Sequence, residues 1–211
     1  HGTLDDQVLR ELSEKLEYLR NLDKRREEIS ASITAQEKMT PEIEAALEKA
    51  STLAEIEDIY RPFRPKRRTR ASIAKEKGLE PLADAIFAQV ADSASPTELA
   101  ADYIDAEKGV ETAEDAINGA MDIIAENISD DADIRRRLRS LFTVAGVLQS
   151  RAADSEKESV YTMYYEYDEP VNKIAGHRVL AVNRGENEGF LKVGIDVDHI
   201  KALNIINANV L

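Results

Sequence analysis

The sequence predicts a mainly α protein: a multi-helical N-terminal region with short helices and capped turns, followed by a small β/α segment. Apolar residues recur at three- and four-residue steps up to about residue 146, and Ser or Thr precedes several of these runs. Strict alternation over Leu191–Val197 is typical of a strand. We therefore expect a helical domain over 3–146 and a small β-containing segment over 147–211, leading into a downstream domain outside this sequence.

The first predicted helix runs from Thr3 to about Gln36. Its apolar residues Leu12, Leu16 and Leu19 share one stripe, and Thr3 with Asp6 three residues later is an acceptable N-terminal signal. We expect the helix to break near Asp23.

Capping residues mark the next helices. Thr40 precedes Pro41, which suits the first position of a helix because a proline has no N–H to leave unpaired there. Thr52 with Glu55 and Ser95 with Glu98 are capping boxes. A stiff, extended connector is expected after Tyr60, at Pro62 and Pro65. Further helices are predicted over 71–77, 81–90, 112–128 and 131–145.

The segment after residue 146 has a mixed pattern. Val179–Val182 fits either a strand or a short helix, and the glycines and Asn of 184–189 predict a turn. Residues 151–159 are polar and predict a mobile connector, whereas Ile200–Leu211 returns to helical spacing.

Composition excludes several classes of protein. The 211 residues carry 28 Lys and Arg against 41 Asp and Glu, a net charge of −13, and 43% hydrophobic residues are enough for a folded core. The absence of cysteine excludes disulfides, thiolate nucleophiles and iron–sulfur clusters. No apolar run approaches the roughly 18 residues that span a bilayer, and no leader opens the chain, so we expect a cytoplasmic location and no membrane partner. His1-Gly2 and a first Met at 39 predict a fragment of a longer protein.

One basic segment stands out against this acidic background. Between residues 61 and 80 there are eight basic and two acidic residues, a local charge of +6. We name residues 61–70 the basic connector, and Phe63 lies within it. The candidate nucleic-acid-binding residues are Arg61, Arg64, Lys66, Arg67, Arg68 and Arg70.

The basic connector has two interpretations. In one, prolines hold it extended, its arginines bind phosphate oxygens and Phe63 stacks on a base. In the other, it pairs with the acidic helices around it or forms an ordinary solvated face. An overall charge of −13 repels polyanions and favours the second interpretation.

Two other groups favour a structural role. Four arginines between residues 135 and 139 are expected on a solvated helix surface. Four tyrosines between 161 and 167 suggest stacking on nucleic acid or packing inside the protein. Because Glu166, Asp168 and Glu169 would repel phosphate, packing is the favoured interpretation.

Catalytic and metal sites have little support in the sequence. His177 and His199 lie in no nucleophile or zinc motif. Asp196 and Asp198 share a strand face with Lys192, which indicates the solvent side rather than a metal site. We therefore expect no enzymatic activity, no metal and no cofactor.

Several blocks then resemble one family. They are Met39–Glu42, Leu53–Tyr60 running into Pro65–Arg70, Gly78–Asp84, Asp168–Pro170, His177–Ala181 and Arg184–Gly189. In this order they resemble the bacterial Tex-like transcription accessory proteins, over nearly the whole chain. The resemblance implies the helical N-terminal region of a multi-domain protein whose nuclease-like, helix-hairpin-helix and RNA-binding domains lie downstream.

The resemblance implies a function but no site in this region. It places the principal nucleic-acid contacts in the downstream modules and gives no role to Lys66–Arg70. The sequence therefore predicts a non-catalytic helical scaffold of a Tex-like protein that binds RNA or DNA in the full-length protein. The basic connector is the candidate contact in this region, and the transcription machinery is a further expected partner. The alternative is a protein-interaction module that docks an acidic partner of the transcription or translation machinery.

Overall fold

The computed structural model describes residues 5–65, 68–90 and 94–211. Within these ranges the chain forms ten α-helices and a three-stranded antiparallel sheet, which confirms the mainly α prediction. It divides into two compact units, His1–Ala132 and Asp133–Leu211. The predicted division at residue 146 stays a prediction. Among the described helices, none has both the length and the apolar character that crossing a bilayer requires.

The described part of the first unit contains seven α-helices. They are α1 (Asp6–Ala35), α2 (Pro41–Lys49), α3 (Leu53–Tyr60), α4 (Arg70–Glu76), α5 (Glu80–Phe87), α6 (Pro96–Ala101) and α7 (Ala113–Asp130). The expected break of α1 near Asp23 is wrong, because α1 is continuous and contains neither glycine nor proline. Its C-terminal half is buried at Leu22, Ile29 and Ile33.

The capping boxes predicted at Thr52 and Ser95 are present. The signal predicted at Thr3 lies outside the described residues, and α1 begins at Asp6. The Thr52 hydroxyl accepts from the Glu55 N–H at 3.2 Å, and the Glu55 carboxylate accepts from the Thr52 N–H at 3.1 Å. Ser95 and Glu98 form the same reciprocal pair. The end of α4 is equally well defined, because Gly78 has a φ of 84° and its N–H donates to the Lys75 carbonyl.

Two apolar clusters hold the first unit together. One joins α1, α2 and α3 around Ile29, Leu47 and Ile56. The other joins α4, α5, α6 and α7 around Leu82 and Ile123. The second cluster fixes α4 against α7, and these two helices flank the basic connector.

The second unit contains the sheet. Its elements are α8 (Ala132–Ala145), β1 (Val147–Ala152), β2 (Glu166–Pro170), α9 (Gly176–Asn187), β3 (Leu191–Asp196) and α10 (His199–Val210). The strand order is β2-β1-β3, and Leu148 of β1 lies opposite Glu169 of β2 and Ile195 of β3.

The turn predicted over 184–189 is largely helical. Residues 184–187 are the last turn of α9, which also settles Val179–Val182 as helix. A Cβ added at Gly185 would lie 2.6 Å from Leu191 Cδ1, so this glycine permits close packing rather than a turn. Gly189, with a φ of 77°, ends the helix: the N–H of Phe190 donates to the Gly185 carbonyl and that of Gly189 to the Glu186 carbonyl.

Two further differences concern the sheet. The sequence did not predict β1 or β2. Residues 151–159, predicted to be a mobile connector, begin with the end of β1, and the Ala153 N–H donates to the Phe190 carbonyl at 2.8 Å.

Candidate nucleic-acid interface

The basic connector joins α3 to α4 in the first unit. It begins as a short 3-10 turn over Arg61–Phe63, and the Arg64 N–H donates to the Tyr60 carbonyl at 3.0 Å. Because Pro62 lies inside this turn, the expectation of an extended segment from Tyr60 onward is wrong there, and the backbone becomes extended only at Arg64. Lys66 and Arg67 lie outside the described residues.

Arg61 is bound internally. Its Nε lies 2.6 Å from Asp130 Oδ1, at the C-terminal end of α7, and the Asp130 side chain is only 8% exposed. A carboxylate removed from water in this way needs a charged partner. For Arg61 the interpretation of internal pairing is therefore confirmed.

Phe63 also faces inward. Its half-buried ring packs against the cluster of α1, α2 and α3. Its carbonyl accepts from Gln36 Nε2 at 3.1 Å, which holds the turn against the end of α1. These contacts favour a structural role for Phe63, and its stacking on a base stays a prediction.

The other described arginines of the connector extend into solvent. Arg64 is exposed. The Arg68 side chain is 72% exposed, with Nη2 at 3.6 Å from a Glu76 carboxylate oxygen. The Arg70 side chain is 85% exposed, with Nε at 3.4 Å from Asp122 Oδ1. Exposed pairs at such distances contribute little stability, so these guanidinium groups remain accessible to a ligand.

The lysines that follow the connector have structural contacts. Lys75 Nζ lies 2.7 Å from Glu80 Oε1, and Lys77 Nζ donates to the Gly109 carbonyl at 2.7 Å. Among the described residues, fewer basic side chains are therefore accessible to a ligand than the count of eight between residues 61 and 80 suggests. The accessible ones are Arg64, Arg68 and Arg70.

Two arginines of α8, Arg136 and Arg137, pair within their own helix. Arg136 contacts the Asp133 carboxylate, and Arg137 Nε lies 2.6 Å from its other oxygen. The hydrogen bond from Arg136, together with the charge of Arg137, lowers the pKa of the Asp133 carboxyl group. This is the arrangement expected of an ordinary solvated helix surface.

The tyrosine segment packs inside the second unit, as the favoured interpretation predicted. Tyr161 and Tyr164 are buried, and the rings of Tyr164 and Tyr167 meet edge to face with centroids 5.2 Å apart. The Tyr167 hydroxyl bonds the Glu169 carboxylate, which also accepts from Arg178 Nη1 at 2.7 Å.

This Tyr167–Glu169–Arg178 network was not predicted from the sequence. The hydrogen bond from Tyr167 is the main cause that lowers the pKa of Glu169, and Arg178 lowers it further. Burial raises the pKa of Tyr167. The spacing of two between Tyr167 and Glu169 was the available signal, since residues i and i+2 of a strand share a face.

The acidic residues around β3 have structural roles too. Asp196 lies on the same face as Lys192 and Gly194, as predicted, and Asp198 caps α10 by accepting from the Ile200 N–H at 2.9 Å. His199 Nε2 lies 3.7 Å from Asp196 Oδ1. Across residues 5–65, 68–90 and 94–211, no three His, Asp or Glu side chains are grouped to hold a metal ion.

The described residues thus combine a mainly α fold, exposed arginines on the connector of the first unit and a small antiparallel sheet in the second unit. Residues 91–209 match the family described as Tex central region-like, and the chain belongs to this family.

Similar proteins agree with this assignment. The chain is 45% identical to the protein YdcI of Bacillus subtilis, over 95% of its own length and 28% of that protein. It is 41% identical to the protein tex of Bordetella pertussis, over 93% of the chain and 25% of that protein. It is 28% identical to the human S1 RNA-binding domain-containing protein 1, over 93% of the chain and 20% of that protein. The chain thus spans about a quarter of the length of the curated relatives it matches.

Proposed function

We propose that this chain is a non-catalytic helical scaffold of a Tex-like, nucleic-acid-binding transcription accessory protein. Within it, the basic connector binds the phosphate backbone of RNA or DNA. The contact residues are Arg64, Arg68 and Arg70, together with Lys66 and Arg67, which lie outside the described residues.

The observation that carries the proposal is the exposure of three arginines on one short segment. A guanidinium group presents several N–H donors that match phosphate oxygens, and its charge does not titrate at neutral pH. Arg68 and Arg70 are 72% and 85% exposed, and their carboxylate neighbours lie beyond 3.2 Å. A phosphate can therefore approach them without first breaking a buried ion pair.

The relatives support a role beside nucleic acid. One is named transcriptional accessory protein Tex, from Neisseria gonorrhoeae, at 38% identity, and another carries an S1 RNA-binding domain in its name. Phosphate contacts position a protein on a nucleic acid without reading its sequence. We infer that the connector assists binding by such a protein rather than providing specificity.

The non-catalytic assignment rests on the structural contacts that three of the described carboxylates make. Asp130 holds Arg61, Glu169 holds Tyr167 and Arg178, and Asp198 caps α10. Metal-dependent cleavage of RNA by the purified chain, abolished by Asp196→Asn, would contradict this assignment.

The experiment compares two double charge reversals with the same change in net charge. Arg64→Glu/Arg68→Glu alters the connector, whereas Arg10→Glu/Arg20→Glu alters exposed positions on α1. We expect the first to weaken binding of a fluorescein-labelled oligouridine by about tenfold or more, and the second to change it about twofold or less.

Equal effects of the two variants would overturn the proposal. Competition between RNA and polyglutamate tests the alternative, in which the connector binds an acidic protein partner. Retention of polyglutamate by the connector in excess RNA would favour that partner and count against a phosphate contact.

A further inference from the structure

Carboxylates accompany three of the four described arginines of the basic connector. Arg61 faces Asp130, Arg68 faces Glu76 and Arg70 faces Asp122. These acids come from two helices, α4 and α7, both of which follow the connector in sequence. Three connector arginines therefore already face carboxylates of the same chain, whereas the proposed function requires arginines of this segment to bind a phosphate of a nucleic acid.

The three pairs differ in burial and distance. Asp130 is 8% exposed at 2.6 Å from Arg61, so this pair is part of the folded structure. Asp122 is 30% exposed at 3.4 Å from Arg70, and Glu76 is 64% exposed at 3.6 Å from Arg68. The last two pairs are open to water and can separate without exposing the core.

Helix packing fixes the positions of the two more exposed acids. Ala71 and Ala74 of α4 are buried in one cluster with Ala116, Ala120 and Ile123 of α7. Asp122 directly precedes Ile123, so the core that buries Ile123 also sets where the carboxylate lies. Glu76 lies in the last turn of α4, eight residues after Arg68. The backbone of each acid is therefore already ordered by its helix.

We propose that Asp122 and Glu76 act as internal competitors for phosphate and set the affinity of the basic connector for nucleic acid. Each carboxylate lies at ion-pair distance from a nitrogen that a phosphate oxygen would also approach, Nε of Arg70 and Nη2 of Arg68. A bound phosphate therefore competes with the carboxylate for the charge of the same guanidinium group. This inference rests on the proposed function, because it concerns the same arginines.

The expected size of the effect follows from the exposure of the pairs. Solvent-exposed ion pairs contribute a small free energy, so removal of one competitor raises affinity by about two- to fivefold. Asp122→Asn and Glu76→Gln keep the shape of each side chain while removing its charge. Because the two pairs share no atoms, we expect their effects on affinity to multiply in the double variant.

The control is Glu114→Gln, which makes the same change in net charge on the first turn of α7. Glu114 is eight residues from Asp122, about 12 Å along the helix axis, which exceeds the screening length of about 8 Å at physiological ionic strength. We expect Glu114→Gln to change the affinity for labelled oligouridine by less than half as much as Asp122→Asn does.

A double-mutant cycle tests whether Asp122 acts through Arg70. In the full 211-residue chain, Asp122→Asn should raise affinity, and in the Arg70→Ala background the same change should have no effect beyond that of the control. Thermal unfolding of each variant by circular dichroism verifies that the fold is retained.

The outcomes separate this inference from the proposed function. If Arg64→Glu/Arg68→Glu abolishes RNA binding but Asp122→Asn and Glu76→Gln change it no more than Glu114→Gln, the competition is overturned and the phosphate contact stands. If the unaltered chain binds oligouridine no better than the Arg64→Glu/Arg68→Glu variant, the proposed function fails and the inference fails with it.

Discussion

Two arginines of the second unit and two arginines of the basic connector are held in different ways. In the second unit Arg151 forms two hydrogen bonds with the Asp168 carboxylate, at 2.7 and 2.9 Å, and Arg178 binds both Glu169 and Tyr167. In the first unit Arg68 and Arg70 have a single, longer carboxylate contact each. A count of basic residues therefore does not locate an anion-binding site. Only arginines whose internal partners are weak can bind an external anion.

The pKa directions of Arg151 and Arg178 agree with these contacts. The hydrogen bonds with Asp168 raise the pKa of Arg151, and those with Glu169 and Tyr167 raise that of Arg178. A raised pKa means that the charged form is stabilised by its partner. Because Glu169 is only 17% exposed, we expect Arg178 to contribute to the fold of the second unit.

The largest expected effect is a loss of stability when a substitution breaks the Tyr167–Glu169–Arg178 network of the second unit. Arg178→Ala removes the cation from Glu169, whose side chain is only 17% exposed, and removes a donor near the Tyr167 hydroxyl. We expect the free energy of unfolding to fall by about 1–3 kcal/mol, since hydrogen bonds to charged groups contribute this much. Urea denaturation followed by circular dichroism measures it.

Arg70→Ala is the matched control in the first unit. It removes the same side chain from a position that is 85% exposed, and we expect a change within about 0.5 kcal/mol. A loss of stability as large as that of Arg178→Ala would show that Arg70 is a structural residue. It would contradict the difference that we infer between Arg178 and the exposed connector arginines.

A smaller effect concerns how the stability of the fold changes with pH below neutrality. The pKa of Glu169 is lower in the folded protein than the ordinary value of about 4.3. Its carboxylate therefore stabilises the fold above the unfolded pKa, and this contribution is lost as the pH falls through the lower, folded pKa. We expect Glu169→Gln to be less stable than the unaltered chain at neutral pH and to lose less stability between pH 7 and about pH 3.

Glu186→Gln is the control for this profile, since Glu186 is an exposed glutamate on α9 of the same unit. It should leave the loss of stability between neutral and acid pH unchanged. If Glu169→Gln follows the pH dependence of the unaltered chain, Glu169 does not couple protonation to folding.

The helices were predicted well because their signals are local. Thr52 with Glu55 and Ser95 with Glu98 specify helix starts within four residues of sequence, and the structure contains both capping boxes. Strand β3 was equally readable from its alternation.

The misses have physical reasons in long-range packing. Strand β2 places the charged Glu169 in the network with Tyr167 and Arg178, so its inward face lacks the apolar residues that mark a strand. Gly185 suggests a turn by composition, yet it serves the close approach of Leu191. The partners of the connector arginines, Asp122 and Asp130, are more than 50 residues away in sequence, and only the packing of α7 brings them there.

The most direct test of the account is the salt dependence of oligouridine binding. Each phosphate contact on a single strand contributes about 0.7 to the slope of the logarithm of affinity against the logarithm of salt concentration. Replacing Arg64, Arg68 and Arg70 together by alanine should therefore reduce the magnitude of the slope by about 2. An unchanged slope in the triple variant would contradict the claim that the basic connector binds phosphate.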